Sequence, residues 1–298
     1  SRPSDGIHPF TAYEGAVNMK ERNGGAVIKI ASLFCLCSVV EYIEFLYVRT
    51  DQTIVADNIG TKLFCILTIV IVLRRSNFRL ADIGFCTKRM LRSILSGLAL
   101  GVITFGISYF VEILFLRSQG HHISLQFFVS NFALTGATTQ VTATFVALSI
   151  CVAVNIINVL AEEGLFRGII LKLGKERFGF FTANWIQAAL FGVWHIVMVV
   201  LGIYDGLMDI STAVIMAIGY VILAGILGLE WGLCVSMSGT LWVGISEHFF
   251  NNFIGNTLHV VTESGTDELQ IVRIVLSNIL SLAIVLIVSR CKKEKTCV

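Results

Sequence analysis

The sequence predicts an all-α fold, a polytopic membrane helix bundle of about eight transmembrane helices. Three observations predict it. Hydrophobic residues make up 55% of the 298-residue chain and charged residues only 14%, against about 25% charged in an ordinary soluble domain. Mean hydropathy is +0.82. The two prolines, Pro3 and Pro9, both precede the first apolar run, so no later proline interrupts a long helix.

A spanning helix takes about 20 mainly apolar residues. That length gives spans at about 27–48, which carries Glu41 and Glu44, and 53–73, which contains Lys62. Further spans follow at 93–117, 143–172, 180–203, 211–229, 232–255 and 270–289. Residues 1–26 read as an N-terminal cytoplasmic segment or an expression remnant, since the chain starts on Ser, and 290–298 as a basic cytoplasmic tail. Between them, 27–289 forms a single transmembrane domain with its core at about 140–255. In the third span Gly97 and Gly101 make a small-xxx-small face suited to close helix contact. Residues 118–142, half apolar and rich in Ser and Thr, are expected as an interfacial helix or a re-entrant piece.

Charge sets the orientation. Arg74, Arg75, Arg79, Lys88, Arg89 and Arg92, then Lys172, Lys175 and Arg177, and finally Arg290, Lys292, Lys293 and Lys295 all fall on one side of an eight-span layout. The other side carries only Arg49, Arg117 and Arg273 beside Asp205, Asp209, Glu263, Asp267 and Glu268. The positive-inside rule therefore puts both termini in the cytoplasm. No basic face with interleaved aromatics exists outside the loops, so nucleic acid finds no support as a partner. The eight cysteines lie in apolar runs or basic segments, outside any small extracytoplasmic domain of the kind disulfides staple, so free thiols are expected.

The rest of the chain is arranged around Asn155–Arg177, where an apolar run carries two adjacent acids, Glu162 and Glu163, with Arg167 one turn beyond. Charges within a membrane segment cost roughly 2.5–3.5 kcal/mol each on insertion scales and usually mark a functional site. A structural ion pair at i,i+4 accounts for Glu163 and Arg167 but leaves Glu162 unexplained. Two further spans break the apolar pattern, with Phe191 and His195 at i,i+4 and His248 and Asn252 at i,i+4. Singly, a membrane His is an interhelical hydrogen-bonder, Phe191 is packing, and Asn252 is helix glue. Together they put two imidazoles, an amide and a carboxylate pair on neighbouring spans. A rise of about 1.5 Å per residue leaves them at unequal heights, which tilt or stagger must correct.

Two chemistries suit this set. A carboxylate and an imidazole can activate a water while a second imidazole and an amide stabilise an oxyanion. Alternatively, Glu162, His195 and His248 can ligate a divalent metal such as zinc, with water in the fourth position. Both hydrolyse an amide. Other intramembrane sites fit less well: there is no H-E-x-x-H, Ser238-Gly239 is the only serine hint, and Asp205 has no intramembrane Asp partner.

At these residues the chain resembles the CPBP family, which groups CAAX prenyl proteases of the Ras-converting type with bacteriocin-processing and immunity proteins. Its E-E-x-x-x-R motif corresponds to Glu162, Glu163 and Arg167, its F-x-x-x-H to Phe191 and His195, and its H-x-x-x-N/D to His248 and Asn252. The resemblance implies an intramembrane endopeptidase in which Glu162 and His195 activate water and His248 and Asn252 hold the oxyanion. Glu163, Arg167 and Phe191 support them. It also implies a hydrophobic or prenylated peptide substrate presented from the lipid bilayer, in a bacterial plasma membrane or, in a eukaryote, the endoplasmic reticulum. The alternative on the same fold is a non-proteolytic regulator or immunity-type protein with a membrane-protein partner. A proton-coupled transporter would carry repeat symmetry between its halves, and the chain carries none.

Overall fold

A computed structural model of the chain describes residues 9–53, 57–130 and 141–296. The expected helical membrane bundle is what folds. Among the described residues five helical segments are long and apolar enough to cross a membrane: Gly25–Val48, Met90–Ser118, Phe145–Tyr204, Ile210–Ser238 and Gln270–Lys292. The third runs 60 residues, but Gly179, at φ 76°, breaks it where the spans at 143–172 and 180–203 are expected to part. Two shorter helices pack among them. Helix α2 (Ile59–Ser76) carries Lys62, Arg74 and Arg75, and α8 (Trp242–Thr257) has 16 residues. The expected number of eight is reached only by counting both.

In chain order the other helices are α1 (Pro9–Ile43), α3 (Met90–Ser118), α4 (Phe145–Glu162), α5 (Leu171–Trp194), α6 (Ile196–Tyr204), α7 (Ile210–Ser238) and α9 (Gln270–Thr296). Helix α1 reaches back into the segment set aside as N-terminal, whose residues 1–8 lie outside the described residues, as do Val298 and Cys297. The small-residue face of α3 packs on α8: a Cβ on Gly97 would meet Ser246 Oγ at 2.2 Å, and one on Gly101 the Phe250 ring at 2.6 Å. The described cysteines are free.

Two expectations need correction. The connector placed at 229–231 is the interior of α7, which continues to Ser238. Glu230 is fully buried and accepts a hydrogen bond from Ser281 Oγ at 2.5 Å, so the charge that suggests a loop has a partner inside the bundle. The true turn follows at 239–241, where Leu241 N and Thr240 Oγ1 both donate to Gly84 O. With Lys292 Nζ donating to Met237 O at 3.3 Å, this ties connector 77–89, the α7–α8 turn and the C-terminal helix to one face.

The second correction concerns 118–142. Neither an interfacial helix nor a re-entrant piece appears in its described part. Strand β1 (Ser124–Val129) instead pairs antiparallel with β2 (Val141–Thr142) and with β3 (Leu258–Val261), Phe127 facing Leu258. Apolar Leu125, Phe127 and Val141 remain exposed on this sheet. Residues 131–140 lie outside the described residues.

Beneath the sheet sits a closed polar cluster. Arg273, 1% exposed, bonds Glu112 at 2.5 Å and Asp267 at 2.5 Å. Asp267 also faces His259 Nδ1 at 3.1 Å, and His259 Nε2 faces Ser130 Oγ at 3.4 Å. Phe128 stacks on the His259 ring at 3.9 Å.

Candidate active site

Helix α4 ends at Glu162 and passes directly into a π-helical stretch, Glu163–Ile170. Wide π turns inside helices are rare and concentrate at functional sites. Every residue of the stretch is buried, Glu163 and Arg167 included. The expected i,i+4 pair is present, with Arg167 Nε 3.4 Å from Glu163 Oε2. Aromatic faces surround the guanidinium as well: its Cζ lies 3.9 Å from the Phe191 ring centroid and 4.7 Å from that of Trp231. Cation–π attraction of this kind offsets part of the cost of burying a guanidinium.

His195 occupies the break between α5 and α6. The helix ends there, and His195 N turns to Gly192 O, so the carbonyl of Phe191 is left for the imidazole, whose Nδ1 lies 2.8 Å from it. With Nδ1–H donating to that carbonyl, Nε2 is the unprotonated, accepting nitrogen of the neutral ring. Phe191 itself is a hub, its ring 4.7 Å from His195, 5.1 Å from Phe166 and 6.3 Å from His248 between centroids.

Helix α8 supplies His248 and Asn252. His248 stacks on Trp231 at 4.1 Å, faces Glu163 Oε1 through Nδ1 at 3.0 Å, and reaches Glu162 Oε2 through Nε2 at 3.8 Å. Asn252 Nδ2 donates to Asn155 Oδ1 at 3.3 Å, and Asn155 in turn donates to Phe249 O at 2.9 Å. The unequal heights expected from counting residues are resolved by placement, since Glu162 and His195 each stand where a helix changes its geometry.

The sequence reading assigned no role to Lys62, and the structure puts it at the centre. Its Nζ lies 2.6 Å from Glu162 Oε1, and both side chains are almost fully buried. A cation in the middle of the apolar span expected at 53–73 is the available signal; α2 itself begins at Ile59, which puts Lys62 in its first turn. Asn155, whose side-chain carbonyl accepts from Asn252, is a second polar residue at the site that the expected motifs do not include.

Glu162, His195, His248, Asn252 and Lys62 all line one cavity of about 360 Å³. Its wall continues through Glu41, Asp57 and Asn58 to Asp51, and through Leu201 and Asn256. The cavity thus extends toward the face of connectors 49–58 and 258–269, away from the basic connector 77–89. Among the described residues no three His, Cys, Asp or Glu side chains are arranged to hold a metal ion. Glu162 Oε1 is engaged by Lys62 and His248 Nδ1 by Glu163, which leaves Glu162 Oε2 and the Nε2 atoms of His195 and His248 as the donors of this set.

The chain is a multi-pass membrane protein by its helices. Searches of curated proteins and of solved structures gave no match. Residues 142–254 match the family model described as Type II CAAX prenyl endopeptidase Rce1-like, which supports a CAAX-type intramembrane endopeptidase at the level of the family. The three motifs, from Glu162 to Asn252, all lie inside that match, so over residues 142–254 the chain is similar to that family.

Proposed function

We propose that the chain hydrolyses a peptide bond in a hydrophobic or prenylated, CAAX-like peptide, using a water activated by Glu162 and His195. The observation that carries this is the convergence of Glu162, His195, His248 and Asn252 on one cavity. A neutral His195 presents Nε2 as acceptor, because Nδ1 is committed to Phe191 O. Water held between this nitrogen and Glu162 loses a proton as it attacks the scissile carbonyl. His248, with Nδ1 against Glu163, is a donor at Nε2 when it is imidazolium, and Asn252 keeps one amide N–H beyond its bond to Asn155. Both then face the oxyanion that forms. Lys62, bonded to Glu162 Oε1 at 2.6 Å, fixes the direction of that side chain. Both termini lie on the cytoplasmic side, a reading that the shared face of connector 77–89, the α7–α8 turn and the C-terminal helix supports.

The test uses the full chain and its Glu162→Ala variant in liposomes, incubated with prenylated and unprenylated hydrophobic peptides and read by mass spectrometry. Parent cleavage falls at least about 10²–10⁴-fold in the variant, the scale of a lost general base. A parallel sample with a chelator retains activity if no metal takes part. Equal cleavage by parent and variant sinks the proposal.

A further inference from the structure

The cavity wall carries more acidic side chains than the catalytic cluster uses. Its charged side chains other than His are Glu41, Asp51, Asp57, Lys62 and Glu162. Asp51 is paired with Arg49 at 3.0 Å and Glu162 with Lys62 at 2.6 Å. Among the described residues, Glu41 and Asp57 have no cation at ion-pair distance; the cation that acts on both is Lys62, which is bonded to Glu162. Glu41 is only 2% exposed. Its Oε1 accepts from Asn58 Nδ2 at 3.3 Å, while Oε2 is buried with no hydrogen-bond partner among the described residues. A buried carboxyl oxygen without a partner is costly, and Glu41 is one of the residues that line the cavity.

Both acids line the same cavity as the catalytic cluster, so a peptide bound there with its scissile bond at Glu162 has them within the volume it occupies. We infer that Glu41 and Asp57 form a subsite holding a cationic group of the substrate, a Lys or Arg side chain or a free amino terminus, while the peptide bond lies at the catalytic cluster. The inference rests on the endopeptidase reading and adds a chemical class to its substrate.

The experiment compares three hydrophobic peptides acetylated at the amino terminus, identical except for a single Lys, norleucine or Glu placed in turn on either side of the cleavable bond. A fourth, the norleucine peptide with a free amino terminus, separates a terminal ammonium from a side-chain one. Equilibrium binding to the full chain in nanodiscs is read by fluorescence anisotropy, and cleavage by mass spectrometry. At one placement a cationic peptide binds the parent about tenfold or more tightly than the acetylated norleucine peptide, the scale of one charge pair in a partly desolvated pocket. Glu41→Gln keeps the acceptor for Asn58 and loses this preference, while binding the acetylated norleucine peptide as the parent does. Should Glu41→Gln fail that last control, Asp57→Asn carries the same comparison. Absence of any preference for a cation in the parent, or a preference unchanged in both variants, overturns the subsite. Selective binding with no cleavage of any peptide overturns the endopeptidase reading and leaves the subsite standing; cleavage without selectivity does the reverse.

Discussion

The cluster around Glu162 and the cluster around Arg273 are built from the same kinds of side chain. Each has a buried basic residue, two carboxylates and an imidazole, and each spaces them at hydrogen-bond distances. By distance alone the second is even the more suggestive, since Ser130, His259 and Asp267 stand in the order of a nucleophile, base and orienting acid. The difference lies in what is left over. Around Arg273 the acids close on one guanidinium, Phe128 covers His259, and none of these residues lines the cavity. Around Glu162 the imidazoles present nitrogens to open space. Residue types at suitable distances make a polar core; an empty volume beside them makes a candidate site.

Breaking the closed cluster has the largest expected effect. Arg273→Met leaves Glu112 and Asp267 buried without their cation and costs about 3–5 kcal/mol of stability, read as a lowered thermal midpoint in detergent. Lys62→Met removes the cation from Glu162 and cuts kcat/KM about 10–100-fold, with Lys62→Arg recovering a large part of it, the range expected when a catalytic base is disturbed rather than deleted. If Lys62→Met lowered only the thermal midpoint and left kcat/KM alone, the lysine would be a packing group and the two clusters would be alike.

A smaller effect follows from Asp267. Burial pushes its carboxyl up, but hydrogen bonds from His259 and Arg273 outweigh that and hold it below the ordinary aspartate range. A depressed folded value means stability that is complete above the unfolded value and lost as pH falls through the folded one. The parent's thermal midpoint should therefore drop between pH 5 and more acidic conditions, about 1–3 kcal/mol in stability, and the Asp267→Asn variant should show a flatter profile. The smallest effect is expected from Ser130→Ala. It removes one long hydrogen bond, worth about 0.5–1.5 kcal/mol, and leaves peptide cleavage at the parent's rate; a large loss of cleavage would make the closed cluster a second reactive centre.

Much of this was legible in the chain because membrane burial makes polar residues expensive. Glu162, His195, His248 and Asn252 stand out from Leu, Ile, Val and Phe, and the structure brings all four to one cavity. The same rule misled at Glu230, where a buried acid with a Ser281 partner was read as a break between helices. Lys62 stood out equally, yet its partner is 100 residues away, and no local periodicity links the two. The strands escaped notice for a different reason: β1 finds β3 across more than a hundred intervening residues, and a half-apolar stretch rich in Ser and Thr carries no sign of so distant a pairing.

The direction of the cavity has a consequence for the compartment in which the reaction takes place. It runs from Glu162 toward Asp51 and Asn256, while the basic connectors gather at the opposite face. On the orientation and the hydrolysis proposed above, the water consumed is drawn from the far side of the membrane. Under that proposal, a peptide made in the cytoplasm would be cut only once its scissile segment had entered the bilayer far enough to reach the cavity.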